Sequence, residues 1–139
     1  MTRGIPQKGD VLFTMEAPLG NAAEIISEER FALAQRIVAL CPDRERLNGT
    51  FLRDLLLSST IQDRIYAHKT GSTVYGIKAK TLKGISIPCP PLETQALIVA
   101  EIEAEQSLVS ANHELIERME KKIQAAITRV WGKEATEAE

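Results

Sequence analysis

Residues Thr70–Pro91 read TGSTVYGIKAKTLKGISIPCPP and run directly into Leu92–Trp131, a stretch without a glycine or proline. A basic Gly/Ser/Thr loop, a short apolar segment and a Pro-Pro break thus lead into one long helical pattern. From Ile98 the alternating 4,3 series is Ile98, Ile102, Glu105, Val109, Asn112, Ile116, Met119, Ile123, Ala126 and Val130. Every second position from Ile102 is β-branched, and Leu97, Ala104, Ala111 and Ala125 widen the stripe. Pro90 and Pro91 suit a helix start, because a first-turn proline lacks only an N–H that would be unpaired anyway. Gly132 suits the stop. A helix from Glu93 to Trp131 would extend about 58 Å at about 1.5 Å per residue. A core helix of one globular domain is the plainer reading. The stripe outlasts a typical core helix, so packing against a second helix is expected.

The helix also carries a direction. Glu93, Glu101, Glu103 and Glu105 leave its first half without a base, at −4, whereas His113–Trp131 holds four bases and three acids, at +1. Two antiparallel copies would oppose unlike halves and unlike helix dipoles; two parallel copies would oppose acid to acid. The predicted dimer seam comprises Ile102, Val109, Asn112, Ile116, Met119 and Ile123. Asn112 lies at its midpoint, where a seam asparagine fixes register; a solvated asparagine fits equally.

Outward from this stretch, charge is uneven. Residues 1–92 hold twelve bases and nine acids, and residues 93–139 five bases and ten acids, which sum to the net charge of −2. Arg64–Lys83 carries Arg64, Lys69, Lys78, Lys80 and Lys83 with no acid and with His68 alongside. A charge run is most often a solvated face. Here hydroxyls, glycines and a tyrosine interrupt it, which is the equipment for phosphate and base contacts. The candidate DNA-binding residues are Lys69, Thr70, Ser72, Thr73, Tyr75, Lys78, Lys80 and Lys83. Tyr75 has a second reading, packed under the loop against Ile77 and Leu82.

The remaining pattern predicts an α+β fold, a small mixed head over residues 1–91 followed by one long helix over 92–132. Strands are expected at Gly9–Met15, Ala22–Ile26, along Phe31–Cys41 and at Ile85–Ile87. Helices are expected at Thr50–Leu57 and Ser59–His68, with a helical turn at Lys78–Lys83. Residues 133–139 read as a disordered tail. The start MTRGIPQKGD lacks an apolar signal core, and no apolar run reaches membrane-spanning length, which predicts a cytoplasmic chain. Cys41 and Cys89 each precede a proline and form no metal spacing; both read as reduced, buried thiols.

Enzyme readings find no support in the inventory. No phosphate-binding G-x-x-x-x-G-K-[ST] loop is present. His68 and His113 are far apart, without a cysteine or carboxylate at ligand spacing. Ser58, Ser59 and Ser72 have no evident base partner. Asp43 and Glu45 lack the clustered carboxylates and lysine of a metal-dependent nuclease. No cofactor, metal or catalytic residue is therefore expected.

The order GDVLFT, ALAQRIVALCPD, FLRDLLLSSTIQDRI and TGSTVYGIKAKTLKGISIPCPPLETQALIV resembles the specificity subunits of type I restriction–modification systems. The resemblance is carried by Gly71, Ser72, Ile77, Leu82, Ile85, Ile87, Pro88, Pro90, Pro91, Leu92, Gln95 and Ile98, and covers about Lys8 to Trp131. It implies a non-catalytic reader of double-stranded DNA that also docks a type I methyltransferase subunit. A full member has two recognition domains and two spacer helices. This chain shows the distal part of one domain and one helix, which fits a truncated product or a half-subunit that forms a homodimer. An assembly module that only oligomerises or docks partners is the alternative.

Overall fold

The computed structural model describes residues 5–137, in two compact units divided between Val99 and Ala100. In the first unit, β1 (Val11–Thr14) is the central strand of a three-stranded antiparallel sheet, between β2 (Ala22–Glu24) and β3 (Ile37–Leu40). Val11 faces Glu24 on one side and Leu40 on the other, and Phe13 faces Ala22 and Val38. The strand's period of two sends Val11 and Phe13 inward, both fully buried.

Two short helices cover that buried face. In α1 (Gly49–Leu57), Asn48 is the N-cap: its side chain accepts the Phe51 N–H at 3.1 Å, satisfying one of the helix's orphan donors. Ser58 ends α1, with its hydroxyl donating to the Leu55 carbonyl at 2.6 Å and its backbone extended. The chain then re-enters helix as α2 (Ser59–Ala67). Leu52 and Leu56 of α1 join Ile61 and Ile65 of α2, Leu19, Ile77 and the β1 residues in one core. A single turn, α3 (Ala79–Lys83), follows Ile77.

Several elements differ from expectation. Of the long run Phe31–Cys41 only Ile37–Leu40 is strand, because β1 offers four residues to pair with and a turn at Gln35–Arg36 precedes them. The first two strands are likewise shorter than expected. Ile85–Ile87 forms no strand. Its isoleucines pack on the core, but no sheet edge pairs with it, and Pro88, Pro90 and Pro91 bring no N–H to a ladder. Cys41 and Cys89 are free and exposed rather than buried, Cys41 just past the end of β3 and Cys89 in the proline-rich segment.

The long helix, α4 (Leu92–Glu137), begins right after Pro91 and continues past Gly132. An interior glycine costs only about 1 kcal/mol relative to alanine, too little to stop a long helix. Of the expected tail, residues 133–137 belong to this helix, and 138–139 lie outside the described residues. The second unit, from Ala100 on, is this helix alone. It leaves Leu108, Val109, Leu115, Ile116, Met119, Ile123, Ile127 and Val130 exposed. No helix among the described residues is long and apolar enough to cross a membrane.

Candidate nucleic-acid interface

The basic loop is a pinched, closed structure. Thr70 N–H donates to the Gly76 carbonyl at 2.8 Å, and Gly76 N–H returns to Thr70 at 3.0 Å. Residues 71–75 therefore bulge between two paired backbones. Gly71 has φ of +100°, and a Cβ there would collide with the Val74 carbonyl, so the turn requires glycine. The base of the loop is stapled to the end of β1. Gly76 bridges to Glu16, Ile77 N–H donates to the Met15 carbonyl at 3.0 Å, and the Ile77 side chain is buried in the core.

On this base the predicted contact residues are presented outward. Lys69, Thr70, Ser72, Thr73 and Tyr75 are all exposed. Lys69 Nζ lies 3.9 Å from the Tyr75 ring centroid and 5.9 Å from that of Tyr66. This cation–π contact covers one face of the Tyr75 ring, and the residue as a whole is 41% exposed. Tyr75 is thus partly accessible at the loop surface rather than fully packed beneath it. Tyr66 is held from below, its hydroxyl donating to the Leu19 carbonyl at 3.0 Å.

The other three lysines belong to the adjoining turn. Lys78 is the N-cap residue of α3, and Lys80 and Lys83 project from that turn into solvent. Arg64 differs from them: its guanidinium donates to the Ser86 carbonyl at 2.8 Å, which ties α2 to the segment after α3. His68 Nδ1 lies 2.8 Å from the Arg64 carbonyl. The run of positive charge therefore divides into exposed lysines and one arginine with a structural bond.

Two neighbours carried no sequence signal. Gln35 and Arg36 line a groove of about 380 Å³ together with Thr70, Gly71, Val74, Gly76 and Lys78. They come from the β2–β3 connection, far from the loop in sequence. The basic run could not have revealed them, since backbone pairing at Met15 and Glu16 brings them there.

Among the described residues no three His, Cys, Asp or Glu side chains cluster to hold a metal. Buried Asp10 accepts the Gln7 N–H at 2.9 Å and the Cys41 thiol at 3.3 Å. Desolvation, then this hydrogen bond and the charge of Asp10, push the Cys41 thiol above its ordinary pKa, the reverse of an activated nucleophile. Asp54 is held by Arg53, with Oδ1 accepting from Nε at 2.8 Å and Nη2 at 2.6 Å.

One polar side chain at the helix start is fully buried. Gln95 Oε1 accepts the Asn48 N–H at 2.9 Å, while Nε2 donates to the Arg46 carbonyl at 2.8 Å and the Pro90 carbonyl at 2.7 Å. Its hydrogen-bonding capacity is used in joining the first turn of α4 to the start of α1.

Comparisons with known proteins bear on the family and the fold. The family described as "Type I restriction modification DNA specificity domain" matches residues 3–124. A putative type I restriction enzyme specificity subunit of Methanocaldococcus jannaschii is 28% identical over 117 residues, 82% of this chain and 27% of the relative. The crystal structure of a type I restriction–modification S subunit from M. genitalium aligns with a TM-score of 0.60 at 21% identity, over 81% of this chain and 29% of that one, a likeness of fold. The chain thus spans roughly a quarter of the length of these relatives. With most of its length matched by one family, this chain belongs to the type I restriction–modification DNA specificity domain family.

Proposed function

We propose that this chain is a non-catalytic DNA-recognition component of a type I restriction–modification system, acting in the cytoplasm. The observation that carries the reading is the stapled loop, which presents Lys69, Thr70, Ser72, Thr73 and Tyr75 outward beside the exposed Lys78, Lys80 and Lys83. Ammonium groups on a rigid base suit phosphate contacts, and the loop hydroxyls suit backbone or base edges. A second copy is the proposed partner of α4, antiparallel along Ile102, Val109, Asn112, Ile116, Met119 and Ile123. The exposed apolar row and the unlike charges of the helix halves support that pairing. A methyltransferase subunit is the further partner that family membership supports.

The test is duplex binding by the Lys78→Ala/Lys80→Ala variant. Each phosphate contact adds roughly 0.9 to the slope of log affinity against log salt, so the double variant should flatten the slope by about two. Its affinity should fall alike for all sequences. Unchanged affinity and slope would remove these lysines from the interface and favour the assembly-only reading.

A further inference from the structure

The loop shares its end of the sheet with a second exposed turn. Ile37 N–H donates to the Ala34 carbonyl at 3.2 Å, closing a β-turn with Gln35 and Arg36 at its two central positions. Met15 joins this turn to the loop through its backbone: its N–H donates to the Arg36 carbonyl at 2.8 Å and its carbonyl accepts the Ile77 N–H at 3.0 Å. The groove of about 380 Å³ between them has Gln35 and Arg36 on one wall and Thr70, Gly71 and Lys78 on the other.

The side chains of Gln35 and Arg36 are exposed, and neither hydrogen-bonds or ion-pairs with any described residue. Arg53 and Arg64, by contrast, are committed to Asp54 and to the Ser86 carbonyl. Glutamine and arginine are side chains that match base edges in two-pronged fashion, Arg to guanine O6/N7 and Gln to adenine N6/N7. Lysine is a point charge without that fork. Glu16 lines the same groove, and its charge disfavours a phosphate directly beside it. The two walls thus differ in chemistry, a hydroxyl-and-lysine wall against a Gln–Arg turn.

We propose that Gln35 and Arg36 read base edges of the duplex that the loop lysines grip, so that this turn sets sequence preference. The inference rests on the DNA-binding reading above and adds residues to it. The test is selection from a random duplex pool by the intact chain, by Arg36→Lys, by Gln35→Ala and by Lys78→Ala/Lys80→Ala. Both turn side chains are exposed, so these substitutions leave the fold intact. Arg36→Lys keeps the charge and should keep the salt slope. It should lose preference at one or two base pairs, by roughly tenfold each. Gln35→Ala should relax a neighbouring position, whereas the lysine pair should weaken all sequences equally. If Arg36→Lys and Gln35→Ala select the parent's sequences with the parent's affinity, this inference fails while DNA binding stands. A parent chain that binds every duplex alike also overturns it. A parent chain that retains no duplex above background overturns both readings.

Discussion

Gln95 and Asn48 act as a relay between two helix starts. The Asn48 N–H donates to Gln95 Oε1 at 2.9 Å, and Asn48 Oδ1 in turn accepts the Phe51 N–H that begins α1. Glutamine is seldom fully buried, and here its burial is compensated by bonds from both ends of the amide. Gln95→Leu would keep the volume, strand the Asn48 N–H and the Pro90 carbonyl, and leave the Arg46 carbonyl only the Cys89 thiol at 3.4 Å. An unsatisfied buried group costs about 1–3 kcal/mol, so a loss of at least about 2 kcal/mol is expected in urea unfolding. An unchanged midpoint would show that these bonds contribute nothing net.

The exposed stripe of α4 predicts assembly. Ile116 is 54% exposed in the single chain, so Ile116→Lys should leave the isolated chain folded. In the proposed pair the same change buries an unpaired ammonium, which is costly. Analytical ultracentrifugation at micromolar concentration should give a dimer for the parent and a monomer for the variant. A monomeric parent would contradict the pairing.

Cys41 gives a pH-dependent prediction. Its pKa is raised by desolvation and by Asp10, so at a given mildly alkaline pH it holds less thiolate than an unperturbed cysteine. Alkylation of Cys41 should therefore lag behind that of a cysteine in an unstructured peptide at pH 8, and the lag should shrink as pH rises. Asp10→Asn removes the negative charge beside the thiol and should speed the reaction. Reaction at the peptide's rate in the parent chain would contradict the environment described.

The main elements of the fold were legible because each had a local cause. The Gly9–Met15 run marked the first strand, Ser58 marked the break between two amphipathic helices, and the Pro-Pro pair marked the start of α4. What was not legible depended on pairing across the chain. The Phe31–Cys41 run reads as strand throughout, yet only the part opposite β1 pairs. Gln35 and Arg36 reach the basic loop through backbone pairing at Met15, and a polar Gln95 in a helical pattern gives no sign of full burial. Cys41 and Cys89 show the converse, since residue type favours burial and position decides otherwise.

Salt-dependent binding of the intact chain to duplex DNA is the most direct test of the account. With phosphate contacts from Lys69, Lys78, Lys80 and Lys83, log affinity should fall against log salt with a slope of about −3.6. Between about 50 mM and about 200 mM salt the affinity should therefore drop by roughly a hundredfold. Absence of binding at the lower salt, or an affinity indifferent to salt, would contradict the claim that this chain contacts DNA through its lysine-bearing loop.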